Sequence, residues 1–294
     1  MKRKDFGRAD LLFDTVVYAV LLVLIVVTLY PLLYVAFASF SDAGKLVAHT
    51  GFLYAPLGFS LEAYKSVFKN PGILTGYRNT LFILVFGVAV NLIVTGLGAY
   101  VLSRRGVMWN RFFMIVIVMT MFFSGGLIPL YLIVKDVGMI DTLWSTIIPF
   151  AVNTFNLIIM RTAFQSVPES LEESAKIDGA GHMTILLRII VPLSMPVIAV
   201  MILYYAVEKW NGWFYASIFL KDHDLYPLQL VLREILISNS TESMSTDSSN
   251  ADRFQIGETI KYATIMVATV PILCVYPFVQ KYFVKGVMVG ALKG

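Results

Sequence analysis

The residues richest in chemistry lie in one short run, Ser166-Val167-Pro168-Glu169-Ser170-Leu171-Glu172-Glu173-Ser174-Ala175-Lys176-Ile177-Asp178-Gly179-Ala180. Its spacing predicts a short amphipathic helix. Ser166 and Glu169 have the spacing of a capping box, Pro168 falls where a first turn tolerates proline, and Gly179 stands where a C′ glycine ends a helix. Leu171, Ala175 and Ile177 supply an apolar stripe. Lying on a membrane surface is the simplest use of such a stripe. That use wants Lys and Arg on the polar face, whereas this helix leads with Glu169, Glu172 and Glu173. An acidic first turn also suits the positive end of the helix dipole. The chemistry expected is docking: an acidic helix offered to a protein partner whose groove is rimmed by basic groups.

Other chemistries lack their residues. No G-x-x-x-x-G-K-[ST] occurs, so the chain cannot cradle ATP phosphates in a P-loop. His49, His182 and His223 share no ligand spacing, and Asp222 and Asp224 beside His223 read as a solvated turn rather than a metal site. There is no G-x-S-x-G elbow. No carboxylate pair falls inside an apolar stretch, which counts against a self-sufficient ion-coupled transporter.

A second group is polar within apolar surroundings: Asn91, Thr95, Asn153, Asn156, Tyr204 and Tyr205. Each must face protein or a water-filled route, because an unsatisfied polar group in lipid costs several kcal/mol. Hydrogen bonding between helices is the simpler use of any one of them. Asn153 and Asn156, three apart, share a helix face and are candidates to line a pathway. Glu208, Trp210, Asn211 and Trp213 follow the fifth apolar stretch. They fit an interfacial aromatic belt, while Trp210 and Asn211 also fit a carbohydrate route, with an aromatic face beside an amide. Gly125-Gly126 and Pro129 read as a helix bend.

Positioning these groups falls to membrane-spanning helices. Of 294 residues, 58% are hydrophobic and only 14% charged, with mean hydropathy +0.76. Soluble chains run near 45–50% apolar and about 25% charged, so lipid must solvate part of this surface. Disorder is excluded on the same grounds, and the single cysteine, Cys274, excludes a disulfide framework. Six stretches near the length of a span, about 20 residues, contain no Asp, Glu, Lys or Arg: 15–38, 79–102, 112–133, 144–160, 190–207 and 263–280. The first is too long for a signal peptide and reads as a retained anchor. Segments 1–14, 103–111, 161–189 and 281–294 carry 13 Lys and Arg in 66 residues; segments 39–78, 134–143 and 208–262 carry 10 in 105. The positive-inside rule then places both termini in the cytoplasm and makes the net charge of +4 an orientation signal rather than a nucleic-acid footprint. The stretch 238–252 is polar and of low complexity, and reads as an outer loop.

Glu173-Ser174-Ala175, Gly179 and Ile189-Ile190-Val191-Pro192 resemble the EAA loop of permease subunits of bacterial ABC importers. The family pattern is E-A-A, three residues, G, nine residues, I-x-L-P. Ser174 replaces the middle alanine and Val191 the leucine. Asn79-Thr80, Ser124-Gly125-Gly126-Leu127-Ile128-Pro129, Ile177-Asp178-Gly179-Ala180, Trp210-Asn211 and the tail from Tyr282 to Gly294 resemble the carbohydrate-uptake branch, and within it the subgroup for oligosaccharides from complex polysaccharides. The resemblance implies an all-α transmembrane domain over 15–294, after a cytoplasmic N-terminus at 1–14, with the coupling loop at about 166–192 between the fourth and fifth spans. It implies that Glu173, Ser174, Ala175, Asp178 and Gly179 dock on a dimer of ATP-binding subunits, which carry the ATP and Mg while this chain binds no cofactor. It also implies a second, similar permease and an extracellular or periplasmic solute-binding protein. Asn153, Asn156, Trp210 and Asn211 are the pathway candidates. A membrane receptor or scaffold recruiting a cytoplasmic partner, and a permease for another solute class, are the alternatives.

Overall fold

The computed structural model describes residues 8–242, 257–274 and 277. Most of the polar stretch 238–252, the end of the expected sixth span and the tail from Tyr282 lie outside the described residues. Among the described residues there is no strand, only an isolated bridge between Ser41 and Phe59. The described residues fall into two units.

The first unit combines the chain up to Asn70 with Glu234–Val270. It contains α1 (Arg8–Ser39), α2 (Ala43–Ala48), α3 (Glu62–Lys69) and most of a helix over 257–274. Over Leu12–Ser39, α1 is apolar on every side, and none of its most apolar window is buried. Lipid is the solvent such a surface needs. Beyond α1, Ala38, Leu46 and Leu53 form a small buried cluster with Tyr34, Phe37, Leu57 and Tyr262 against it.

The second unit is built on α4 (Pro71–Ser103), whose 33 residues make a rod about 50 Å long. It is followed by α5 (Asn110–Phe122), α6 (Leu127–Asp136), two 3-10 turns (Leu143–Thr146 and Ile148–Phe150), α7 (Thr154–Gln165) and α8 (Glu169–Ile177). Then come α9 (His182–Ile185), a π-helical turn (Leu186–Ile190), α10 (Val191–Leu193), α11 (Met195–Trp210), α12 (Phe214–Phe219) and the start of α13 (Leu228–Glu242).

Two helices, Leu12–Ser39 and Pro71–Ser103, are each long and apolar enough to cross a bilayer, and three bent pairs become so when each is taken as one span. Against the expected six spans, the described residues give two straight spans, or up to five with the bent pairs, and the stretches 112–133, 144–160 and 190–207 are broken rather than straight. α5 and α6 meet at 113°, where Gly126 takes a φ of +82°. The 3-10 turns and α7 meet at 52°. His182–Leu193 and Met195–Trp210 meet at 86° around Ser194, where Pro192 and Pro196 remove two backbone donors and oppose a continuous helix. The first bend was legible in Gly125-Gly126; its size was not.

Broken helices leave carbonyls without helical partners, and α4 supplies donors for them. Asn79 Nδ2 donates to the carbonyls of Asp224 and Tyr226, at 2.8 and 3.1 Å. Asn91 Nδ2 donates to those of Phe150 and Ala151, at 2.6 and 2.9 Å. The Thr80 hydroxyl accepts from the Leu228 N–H at 2.8 Å, and the Thr95 hydroxyl meets that of Tyr205 at 2.8 Å. Non-helical backbone at membrane depth is tolerated only when it is satisfied by protein or water in this way. Asn91, Thr95 and Tyr205 are thus used for packing between elements.

Candidate functional site

Two places on the second unit carry polar chemistry, one at the Ser103 end of α4 and one halfway along it. At the first, α8 forms where the sequence predicts a helix, but its start differs. Pro168 is the N-cap, with extended ψ, and makes no side-chain cap. Ser166 still has helical backbone angles as the C-cap of α7, and its hydroxyl donates back to the Ala163 carbonyl at 2.7 Å. The capping box expected from Ser166 and Glu169 is therefore not made, because Ser166 closes the preceding helix. The end of α8 follows expectation. Gly179 has φ +82°, its N–H reaches the Lys176 carbonyl at 3.0 Å, and the Ala180 N–H reaches that of Ala175 at 2.9 Å. This pair of bonds is the Schellman stop, which needs a left-handed residue.

The three glutamates of α8 separate by role. Glu172 is 6% exposed and is held by Arg104, with Lys176 on its other oxygen at 3.1 Å. Glu169 pairs with Arg105 at 2.9 Å on an open surface. Glu173 is exposed and makes no ion pair among the described residues. Burial works against the charge on Glu172, but the hydrogen bond from Lys176 and the Arg104 guanidinium outweigh it and hold its carboxyl below the ordinary 4.5. Arg104 also donates to the Phe164 carbonyl at 3.0 Å, and Arg161 to the Leu102 carbonyl at 2.8 Å. One guanidinium therefore joins α8 to the ends of both α4 and α7. Behind α8 lies a core of Ala99, Tyr100, Leu157, Met160, Phe164, Ile185, Leu186, Ile190 and Met201.

Of the residues expected to dock, Glu173, Ser174, Asp178 and Gly179 lie exposed on α8 and its stop, while Ala175 packs half-buried on the core. Leu171 and Ile177 of the apolar stripe stay exposed, Ile177 at 86%. An acidic and apolar surface left uncovered by the described residues is what a docking helix presents.

Halfway along α4 the arrangement differs. A cavity of about 200 Å³ is lined by Ile83, Thr146, Phe150, Glu208, Lys209, Asn211, Gly212, Trp213, Phe214, Tyr215 and Ala216. Asn211 is on its wall, at the C-cap of α11, with its amide donating to the Val207 carbonyl at 2.9 Å. Trp210 is 8% exposed beside Tyr77 and does not line the cavity; its buried indole N–H has no acceptor among the described residues. Asn153 is the N-cap of α7, and its side chain accepts the Asn156 N–H at 3.2 Å. The two asparagines thus meet through a cap. Asn153 is exposed and Asn156 is buried, and neither reaches this cavity. Sequence reasoning missed Lys209, which it left in the loop after the fifth span. The available signal was a lysine directly after an apolar run whose end was uncertain by several residues. It also counted Arg104 only as an orientation charge.

Residues 93–289 match the family model of binding-protein-dependent transport system inner membrane components. The chain belongs to that family. It is 41% identical to the polygalacturonan/rhamnogalacturonan transport system permease protein YtcP of Bacillus subtilis (strain 168), over 96% of this chain and 99% of that one. It is 44% identical to Protein LplC of the same organism, over 91% of this chain and 90% of that one. Its fold is like that of a chain from a bacterial ABC transporter involved in the import of the acidic polysaccharide alginate, with 34% identity, a TM-score of 0.87, and coverage of 96% of this chain and 100% of that one. Membership sets aside the receptor or scaffold alternative.

Proposed function

We propose that this permease is one of two pore-forming subunits of an ATP-driven importer of oligosaccharides in the bacterial cytoplasmic membrane. The observation that carries the reading is α8: Glu173 and the apolar Leu171 and Ile177 are exposed, and Glu172 is tied through Arg104 to the ends of α4 and α7. A pair of ATP-binding subunits docks there and supplies the ATP and Mg that this chain has no motif to bind. A second, similar permease completes a route too wide for the packing of one chain, and a solute-binding protein delivers the sugar. Closure of the ATPase pair rocks one permease against the other, opening the route to each side in turn. Support for sugar as cargo comes from YtcP, named for polygalacturonan and rhamnogalacturonan, and from the alginate importer. Six spans with both termini in the cytoplasm fit the Lys and Arg distribution.

The test is assembly. Glu173→Ala should insert normally yet lose ATPase from the co-purified complex, because truncating one partner of a desolvated charged contact costs about 2–5 kcal/mol. Full ATPase recovery and full sugar uptake would remove the docking role. For topology, with Cys274 replaced, Lys176→Cys should react with an impermeant thiol reagent only after permeabilisation. Labelling in intact cells would invert the orientation.

A further inference from the structure

Lys209 is 6% exposed. Its stem lies against Gly87, the middle residue of α4 and about 24 Å from either end; a Cβ added there would come within 3.2 Å of Lys209 Cε. Gly87 thus makes the room that admits the lysine. The ammonium meets the Thr146 carbonyl at 3.4 Å and the face of Phe150 at 5.6 Å. No carboxylate lies within 4.0 Å of it among the described residues. An ammonium has three protons to donate, and one long bond to a carbonyl leaves it short of partners. A desolvated charge is costly unless paired, and a charge held at membrane depth marks a functional position.

The same cavity wall carries Asn211, Trp213 and Tyr215. Glu208 also borders it and is exposed, so water weakens its repulsion of an anion without removing it, while the field of Lys209 is screened far less. An amide, aromatic faces and an unpaired cation together fit a sugar unit that bears an anionic group.

We propose that Lys209 is a carboxylate subsite on the transport route, pairing in passing with the uronate group of an acidic oligosaccharide. The inference rests on the sugar-permease reading and narrows its cargo. At about 200 Å³ the cavity is smaller than the about 300–1,000 Å³ of a site for a drug-sized ligand, so it engages one sugar unit at a time. Asn211 lies beside the hydroxyls of that unit. The Thr146 carbonyl holds the ammonium between visits and competes with the cargo, which keeps binding reversible.

The experiment uses the whole importer in vesicles with its binding protein. Uptake is measured for a panel of uronate trimers and their fully methyl-esterified, uncharged counterparts. Lys209→Met should lower acid uptake at least about tenfold relative to the ester, with the complex intact. Lys209→Arg should keep most of the acid uptake, and Glu208→Gln should raise the acid-to-ester ratio. A Met variant that lowers both substrates alike, or neither, overturns the subsite. Should that variant fail to assemble, Glu208→Gln decides, and an unchanged or lower ratio overturns the proposal. A wild-type importer that takes esters but no acids overturns the subsite alone; one that takes no sugar overturns the sugar reading as well.

Discussion

The Ser103 end of α4 and its midpoint treat charge in opposite ways. At the end, Arg104 and Glu172 are both largely buried and bound to each other, with a second cation and a backbone carbonyl completing the set. At the midpoint, Lys209 is as deeply buried, and among the described residues no carboxylate lies within 4.0 Å of its ammonium. A satisfied pair fixes the distance between two elements, which suits passing on a push. An unsatisfied charge keeps its field for something that arrives later, which suits a route. Burial alone therefore says little about the role of a charged residue; its partners decide.

The largest expected effect breaks the satisfied end. Arg104→Ala leaves Glu172 buried without its main partner, and such losses cost about 3–5 kcal/mol. Thermal unfolding of the purified complex should show a clear drop, and removing the exposed Arg105 should cost about 0–1 kcal/mol. Equal effects of the two would erase the contrast drawn above. Replacing Arg104 and Glu172 together by methionine should restore most of the stability, since an apolar pair of similar size is often neutral; transport should stay impaired if the ionic tie transmits motion.

A smaller effect comes from the end of α8. Gly179→Val forces a β-branched residue to φ +82°, a strain of about 1–3 kcal/mol. A Cβ there meets no atom within 4 Å, so the penalty is conformational rather than steric crowding. Faster amide exchange over Glu169–Ala180 with unchanged exchange in α4 is the expected signature.

The smallest effect at neutral pH concerns protons. The folded value of Glu172 lies below its ordinary 4.5, so its contribution to stability is fully present above the ordinary value. That contribution is lost as pH falls through the lowered folded value. Between pH 5 and 8 stability should be flat in this respect, and Glu172→Gln should remove part of the acid-side loss in a melting series. An unchanged acid limb would mean that Glu172 is not held as described.

Local features were legible. The apolar stretches, the helix after Pro168 and the glycine stop at Gly179 follow from periodicity and backbone sterics, which act over a few residues. The sharpness of the breaks was not, because a hydropathy window sums apolarity and is blind to direction; Gly125-Gly126 marked a bend without its 113°. Arg104 and Glu172 are 68 residues apart, and a one-dimensional reading has no means of pairing them. Lys209 was hidden for a different reason. Its depth is set by α4 through Gly87, a contact across 122 positions that no local pattern encodes. Asn153 and Asn156 show the limit of face-sharing arguments, since helical spacing brought them together as a cap.

The length of α4 has a mechanical meaning. At about 50 Å it exceeds the roughly 30 Å hydrocarbon layer, so it must tilt or project into the interfaces. Gly87, at its centre, lies where a rod of this kind has its natural fulcrum. A rotation of about 10° there would sweep the Ser103 tip through roughly 4 Å while the side chains at the pivot hardly move. A small displacement of α8 would thus become, without bending the rod, a change of angle at the level of the cavity.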